Sequence, residues 1–84
     1  MYTYKFMKRY AAGMSKVLGK NVRAIRKQKG ISLEELSDNT DFTVELIYRI
    51  ERGEYRMRLE HVRRLAVYLG EQPANLLREG TIEE

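Results

Sequence analysis

The sequence predicts an all-α fold, a compact bundle of five short helices. Three observations carry that expectation. From Leu18 onward, apolar residues recur at three- and four-residue spacing, the period of a helix face. Ser15, Ser32, Thr43 and Pro73 stand ahead of such runs, where helices take capping residues or a first-turn proline. Gly30, Gly53, Gly70 and Gly80 stand where the runs stop.

Residues 1–15, MYTYKFMKRYAAGMS, differ in character from the rest of the chain. Tyr2, Tyr4 and Phe6 alternate with Thr3 and Lys5, which suits a short strand; with Tyr10 they also suit an irregular aromatic-basic arm. Met7 and Met14 are alternative translation starts. Disorder or partial order is the favoured reading of this extension. Ser15 is then placed to cap a first helix running to about Lys29. Leu18, Val22 and Ile25 share one face of it, while Lys16, Lys20, Arg23, Arg26, Lys27 and Lys29 cover much of the rest. Most of these cations are expected to be solvated. Those near the end complement the helix dipole, and Gly30 supplies the stop.

The run from Ser32 to Gly53 reads as two short helices joined by a tight turn. Ser32 and Glu35 form a capping box, in which the hydroxyl takes the Glu35 N–H and the carboxylate reaches back. Ile31 is placed as a hydrophobic staple against Leu36, whereas Leu33 is expected to be partly exposed. The turn Asn39-Thr40-Asp41-Phe42 comes next. Thr43 caps the second helix of the pair, in which Leu46, Ile47 and Ile50 fall at helical spacing. Neither helix is long enough to fold alone, so both must lean on the rest of the chain.

After Gly53 comes an Arg-rich loop, Glu54-Tyr55-Arg56-Met57-Arg58. A fourth helix is expected from about Leu59 to Leu69, burying Leu59, Val62, Leu65, Ala66 and Leu69, with Glu60 in its first turn and Gly70 at its end. His61 lies off the apolar stripe and reads as solvated. Pro73 opens a fifth helix anchored by Leu76 and Leu77 and ended by Gly80. The expected organisation is an extension over 1–15, one domain over 16–79 and an acidic tail over 80–84.

Composition bounds what such a domain can do. Eighty-four residues support one small domain with a core of about fifteen side chains. There is no Cys and a single His, so no disulfide can form and no transition-metal site is expected. No apolar run approaches the roughly 20 residues that span a bilayer, and no secretory pattern opens the chain, so a cytoplasmic protein is expected. Charge is unevenly spread: residues 1–30 carry nine Lys or Arg and no acid, and residues 31–84 carry seven Arg against twelve Asp or Glu. That asymmetry suggests a basic surface facing a polyanion, with simple solubility as the plainer alternative. No metal-ligand set, phosphate loop or nucleophile paired with the lone His is present, so neither an enzyme nor a cofactor is expected.

The run from Leu18 to Leu77 resembles the lambda-repressor-like, Cro/C1-type (XRE) helix-turn-helix family. The resemblance rests on Leu18-Gly19, on Val22 to Ser32 (VRAIRKQKGIS), on Glu34-Glu35-Leu36-Ser37 and on Ile47 to Gly53 (IYRIERG). It closes with Leu59, Leu65-Ala66, Leu69-Gly70 and Leu76-Leu77. The chain departs from the family's pattern in five places, one of them Phe42, which is bulkier than the common Val. Leu33 stands where a polar residue is common, and Thr40 where an apolar one is. Asp41 occupies a position usually small, often Gly, and would have to adopt a left-handed conformation. The loop proline expected near Met57 is missing.

What the resemblance implies is a five-helix domain whose second and third helices form the motif. It would bind double-stranded operator DNA as a homodimer and act as a small transcriptional regulator, repressor-like, with a recognition helix at about 44–52. Thr43 would cap that helix near the phosphate backbone. Val44, Glu45, Tyr48 and Arg49 would face base edges, and Arg52, Tyr55, Arg56 and Arg58 would contact the backbone beyond.

Each outward position also has a plainer reading. Arg49 suits guanine O6 and N7, or a salt bridge to Glu45. Glu45 meets phosphate repulsion unless it accepts from cytosine N4 or orients Arg49. Val44 suits a thymine methyl or a cap-turn contact, and Tyr48 a phosphate, a base edge or surface packing. One recognition helix reads too few base pairs for a specific operator, so a palindrome and a dimer are expected, through Leu77, Ile82 and Tyr68 or through the Tyr2-to-Phe6 segment. The extension would then be a leader, a dimerisation strand or a DNA-contacting arm. The competing reading is a protein-interaction module on the same fold, with Leu33, Val44 and Tyr48 as its apolar surface.

Overall fold

The computed structural model describes residues 4–78, with side chains over 13–78. It holds five helices: α1 (Tyr4–Gln28), α2 (Leu33–Thr40), α3 (Val44–Glu51), α4 (Leu59–Leu69) and α5 (Pro73–Leu77). No strand occurs among the described residues. The tail over 79–84, with Gly80 and Ile82, and residues 1–3, with Tyr2, lie outside them.

The first helix differs from expectation. It begins at Tyr4, and Ser15 is a buried residue inside it rather than its cap. The reason lies in the sequence: no proline and only Gly13 interrupt the stretch, while strand-like alternation lasts just five residues. Gly30 ends the exposed C-terminal turn as expected. The Ile31 N–H returns to the Arg26 carbonyl (3.0 Å) and the Gly30 N–H to the Lys27 carbonyl (3.1 Å), the two bonds of a Schellman ending.

The core is one cluster drawn from every element. Leu18, Val22 and Ile25 of α1 meet Leu36 of α2, Ile47 and Ile50 of α3, Val62, Leu65, Ala66 and Leu69 of α4, and Leu76 of α5, with Phe42 from the turn. Burying each of the larger of these contributes about 1.5–3 kcal/mol. Leu59 corrects the prediction: it opens α4 but is 58% exposed, because the buried stripe starts only at Val62.

Two contacts fix α3 against α1. Gly19 passes so close to the end of α3 that a Cβ there would lie 2.1 Å from the Ile50 carbonyl oxygen. Only glycine permits that approach. Seven residues on, Arg26 sends Nε and Nη2 to the two oxygens of Glu51 (2.7 and 3.0 Å) and Nη1 to the Ile31 carbonyl (3.0 Å). Both side chains of this pair are largely buried.

Arg26 is thus part of the frame rather than of a solvated face. Lys29 likewise donates its ammonium to the Leu69 carbonyl at the end of α4. The buried Asn21 amide caps the end of α5 through the Leu76 (2.8 Å) and Arg78 (2.9 Å) carbonyls. No helix among the described residues is long and apolar enough to cross a membrane.

Candidate nucleic-acid interface

The site is built from caps outward. Ser32 sits in extended backbone ahead of α2, and its hydroxyl accepts the Glu35 N–H at 3.0 Å. The other half of the predicted box is replaced. The Glu35 carboxylate accepts instead from the Tyr68 hydroxyl of α4 at 2.5 Å, which ties α2 to α4. That bond holds the Tyr68 phenol above its ordinary range, since ionising it would set two anions together.

The turn accommodates its unusual residues. Thr40 is buried where an apolar residue is common, and its hydroxyl is satisfied by donating to the Leu36 carbonyl (2.6 Å). Asp41 takes the left-handed conformation, with φ 63°, as its position demanded. Phe42 is buried, its carbonyl accepts from the Ser37 hydroxyl (2.5 Å), and the Arg64 guanidinium sits 5.6 Å from its ring centroid. Leu33 and Ile31 pack partly buried against the core.

Thr43 caps α3 as predicted, with its hydroxyl accepting the Leu46 N–H at 3.0 Å. Ile47 and Ile50 point into the core, so the opposite face of α3 is turned outward. Glu45, Tyr48, Arg49 and Arg52 are exposed there, and Val44 is half-buried at the edge. Glu45 and Arg49 form an exposed ion pair at 3.9 Å, a separation that ties neither firmly. Arg52 is held more closely: Nη1 donates to the Tyr48 hydroxyl (3.0 Å) and Nε to Glu54 (3.0 Å). These two partners raise the Arg52 pKa above its ordinary value, the Tyr48 bond first.

Gly53 ends the helix in a left-handed turn, φ 73°, which L side chains adopt at a cost. A Cβ there would meet the Lys16 Cγ at 2.9 Å, so the helix end lies directly against α1. Arg56 and Arg58 project from the loop after it, whereas Tyr55 and Met57 are half-buried and pack against the core. Met57 therefore fills the place of the absent proline by packing inward.

His61, expected to be solvated, is half-buried and employed. Its Nδ1 accepts the Arg58 N–H (3.1 Å) at the start of α4, and its ring lies edge-on to Phe42 and Tyr55 at centroid distances of 5.4 and 6.0 Å. It joins the turn of the motif to the Arg-bearing loop. Neither Glu54 nor His61 was expected at the interface from sequence. A histidine three residues after the cap position was the available signal.

Two capped helices at a tight turn, the second with a polar outward face and arginines beyond its end, define a helix-turn-helix protein. A family model described as Helix-turn-helix matches residues 22–76, and the chain belongs to that family, in its Cro/C1-type branch. No curated protein matches the chain.

Solved structures do. The crystal structure of the clp gene regulator ClgR from Corynebacterium glutamicum superposes with a TM-score of 0.74 at 26% identity, over 76% of this chain and 68% of that one. The hypothetical transcription factor NHTF from Neisseria gives 0.73 at 29% identity, over 77% and 75%. The restriction-modification controller protein C.AhdI from Aeromonas hydrophila gives 0.70 at 27% identity, over 74% and 94%.

Proposed function

We propose that this chain is a small transcriptional regulator that binds double-stranded DNA sequence-specifically, with α3 laid in the major groove. The observation that carries the reading is the outward face of α3. Its inner residues are locked in the core by Gly19 and the Arg26–Glu51 pair, and its outer ones are left for a partner. Membership of the helix-turn-helix family, and the likeness to named regulators, support the same conclusion.

The residues divide by chemistry. Thr43 places the N-terminal end of α3 against phosphate. Val44, Glu45, Tyr48 and Arg49 face the base edges, with Arg49 the best guanine reader because its pairing to Glu45 is loose. Arg56 and Arg58 serve the backbone from the loop that Tyr55 supports, and Arg52, held by Tyr48 and Glu54 at the end of α3, is a weaker clamp beside them. Reading two half-sites roughly 34 Å apart calls for a homodimer on a palindromic operator. The interaction-module alternative is weakened by Leu33, which packs partly on its own core rather than standing out as an apolar anchor.

Salt-titrated binding to a duplex panel tests the division. Arg56→Ala weakens binding to every duplex and makes the log–log salt slope shallower by about 0.9. Arg49→Ala relaxes preference at particular base pairs, worth about 1–3 kcal/mol. Equal loss across the panel for both variants would refute it.

A further inference from the structure

We infer that Tyr48 reads sequence as a hydrogen-bond donor, and that Arg52 and Glu54 are positioning residues that commit it to that role. The inference rests on the DNA-binding reading and sharpens it.

Tyr48 stands on the outward face of α3, 50% exposed. Arg52, one turn on, donates Nη1–H to its hydroxyl oxygen at 3.0 Å. A guanidinium has only donors, so in this bond the tyrosine oxygen must accept. Its own proton is then turned elsewhere, toward whatever lies beyond the helix. An unheld tyrosine hydroxyl rotates to donate or accept as the partner requires; this one has its acceptor side occupied.

Glu54 keeps the arrangement in place. Its carboxylate takes the Arg52 Nε–H at 3.0 Å, so the planar fork is gripped at two of its three nitrogens. The contrast with Arg49 is direct, since its nearest carboxylate lies 3.9 Å away. Glu54 also offsets the charge of Arg52, which leaves that arginine a weaker phosphate clamp than Arg56.

A committed donor discriminates in the major groove. Guanine N7 and O6, adenine N7 and thymine O4 accept, whereas cytosine offers only its N4 amine. Tyr48 therefore favours an accepting edge at its position in each half-site and disfavours cytosine.

The test uses full-length protein on the operator recovered from random duplexes. Acceptors are removed one at a time, by 7-deaza purines for N7 and by base-pair exchange for O4 and O6. Wild type is expected to lose about tenfold in affinity at one position per half-site. Tyr48→Phe loses that preference and keeps the others. Glu54→Ala weakens discrimination at the same position, while its salt slope steepens by up to about 0.9 as Arg52 is released to phosphate. An unchanged preference profile for Tyr48→Phe, or undiminished discrimination at that position in Glu54→Ala, overturns the inference. If those variants fail while wild type still selects a duplex, the regulator reading stands; a wild type that selects none overturns both.

Discussion

Asp41 shows how a single residue can sit against its own preference and still be tolerated. With φ at 63° it bears the cost of a left-handed conformation that glycine would avoid. That cost is about 1–2 kcal/mol for an ordinary residue and less for Asp, and glycine in turn adds freedom to the unfolded chain. Asp41→Gly is therefore expected to stabilise by about 0.5 kcal/mol, read from denaturant midpoints at constant slope. Tyr68 supplies a pH prediction at the same scale. Its folded-state pKa is raised above 10.0 by the bond to Glu35, so the folded protein holds that proton more tightly than the unfolded chain. The stabilisation is present below pH 10 and lost as pH rises through the folded value. Absorbance titration should show Tyr68 ionising late in wild type and shifted back toward its ordinary range in Glu35→Ala.

At the scale of elements, the caps and stops carried most of the information. Ser32, Thr43, Pro73 and the glycines after α1, α3 and α4 marked boundaries that the structure reproduces, because each acts on backbone groups within a few residues. The start of α1 was not legible, since a serine inside a helix carries the same letter as a serine that caps one. Nor were Arg26–Glu51 and Asn21, whose partners lie 25 and 55 positions away and are brought together only by packing. Of the interface, the outward positions on α3 could be read from periodicity, but the grip of Glu54 on Arg52 could not. Gly19 and Gly13, both in α1, make a paired prediction. Gly19→Ala drives a methyl into the Ile50 carbonyl and is expected to cost at least about 2–3 kcal/mol. Gly13→Ala meets nothing within 4 Å and is expected to stabilise by about 0.5–1 kcal/mol. Thermal unfolding of the two variants should move in opposite directions.

For the whole molecule, the fold's work is to present one short helix rigidly. An isolated eight-residue α3 would be unstable in water, and its shape is maintained by α1 behind it and the α2 turn before it. The uneven charge of the chain acquires a partial structural reason, for Arg26 and Lys29 are consumed in holding helices together, while Arg49, Arg56 and Arg58 stand exposed. The presented face is proposed to read duplex DNA in two symmetric half-sites. A binding selection on random duplexes, made with full-length protein at near-physiological salt, tests this most directly. The predicted result is enrichment of a palindrome with half-sites one helical turn apart, roughly 34 Å between centres. Recovery of no common sequence, with weak binding governed by salt alone, would contradict it.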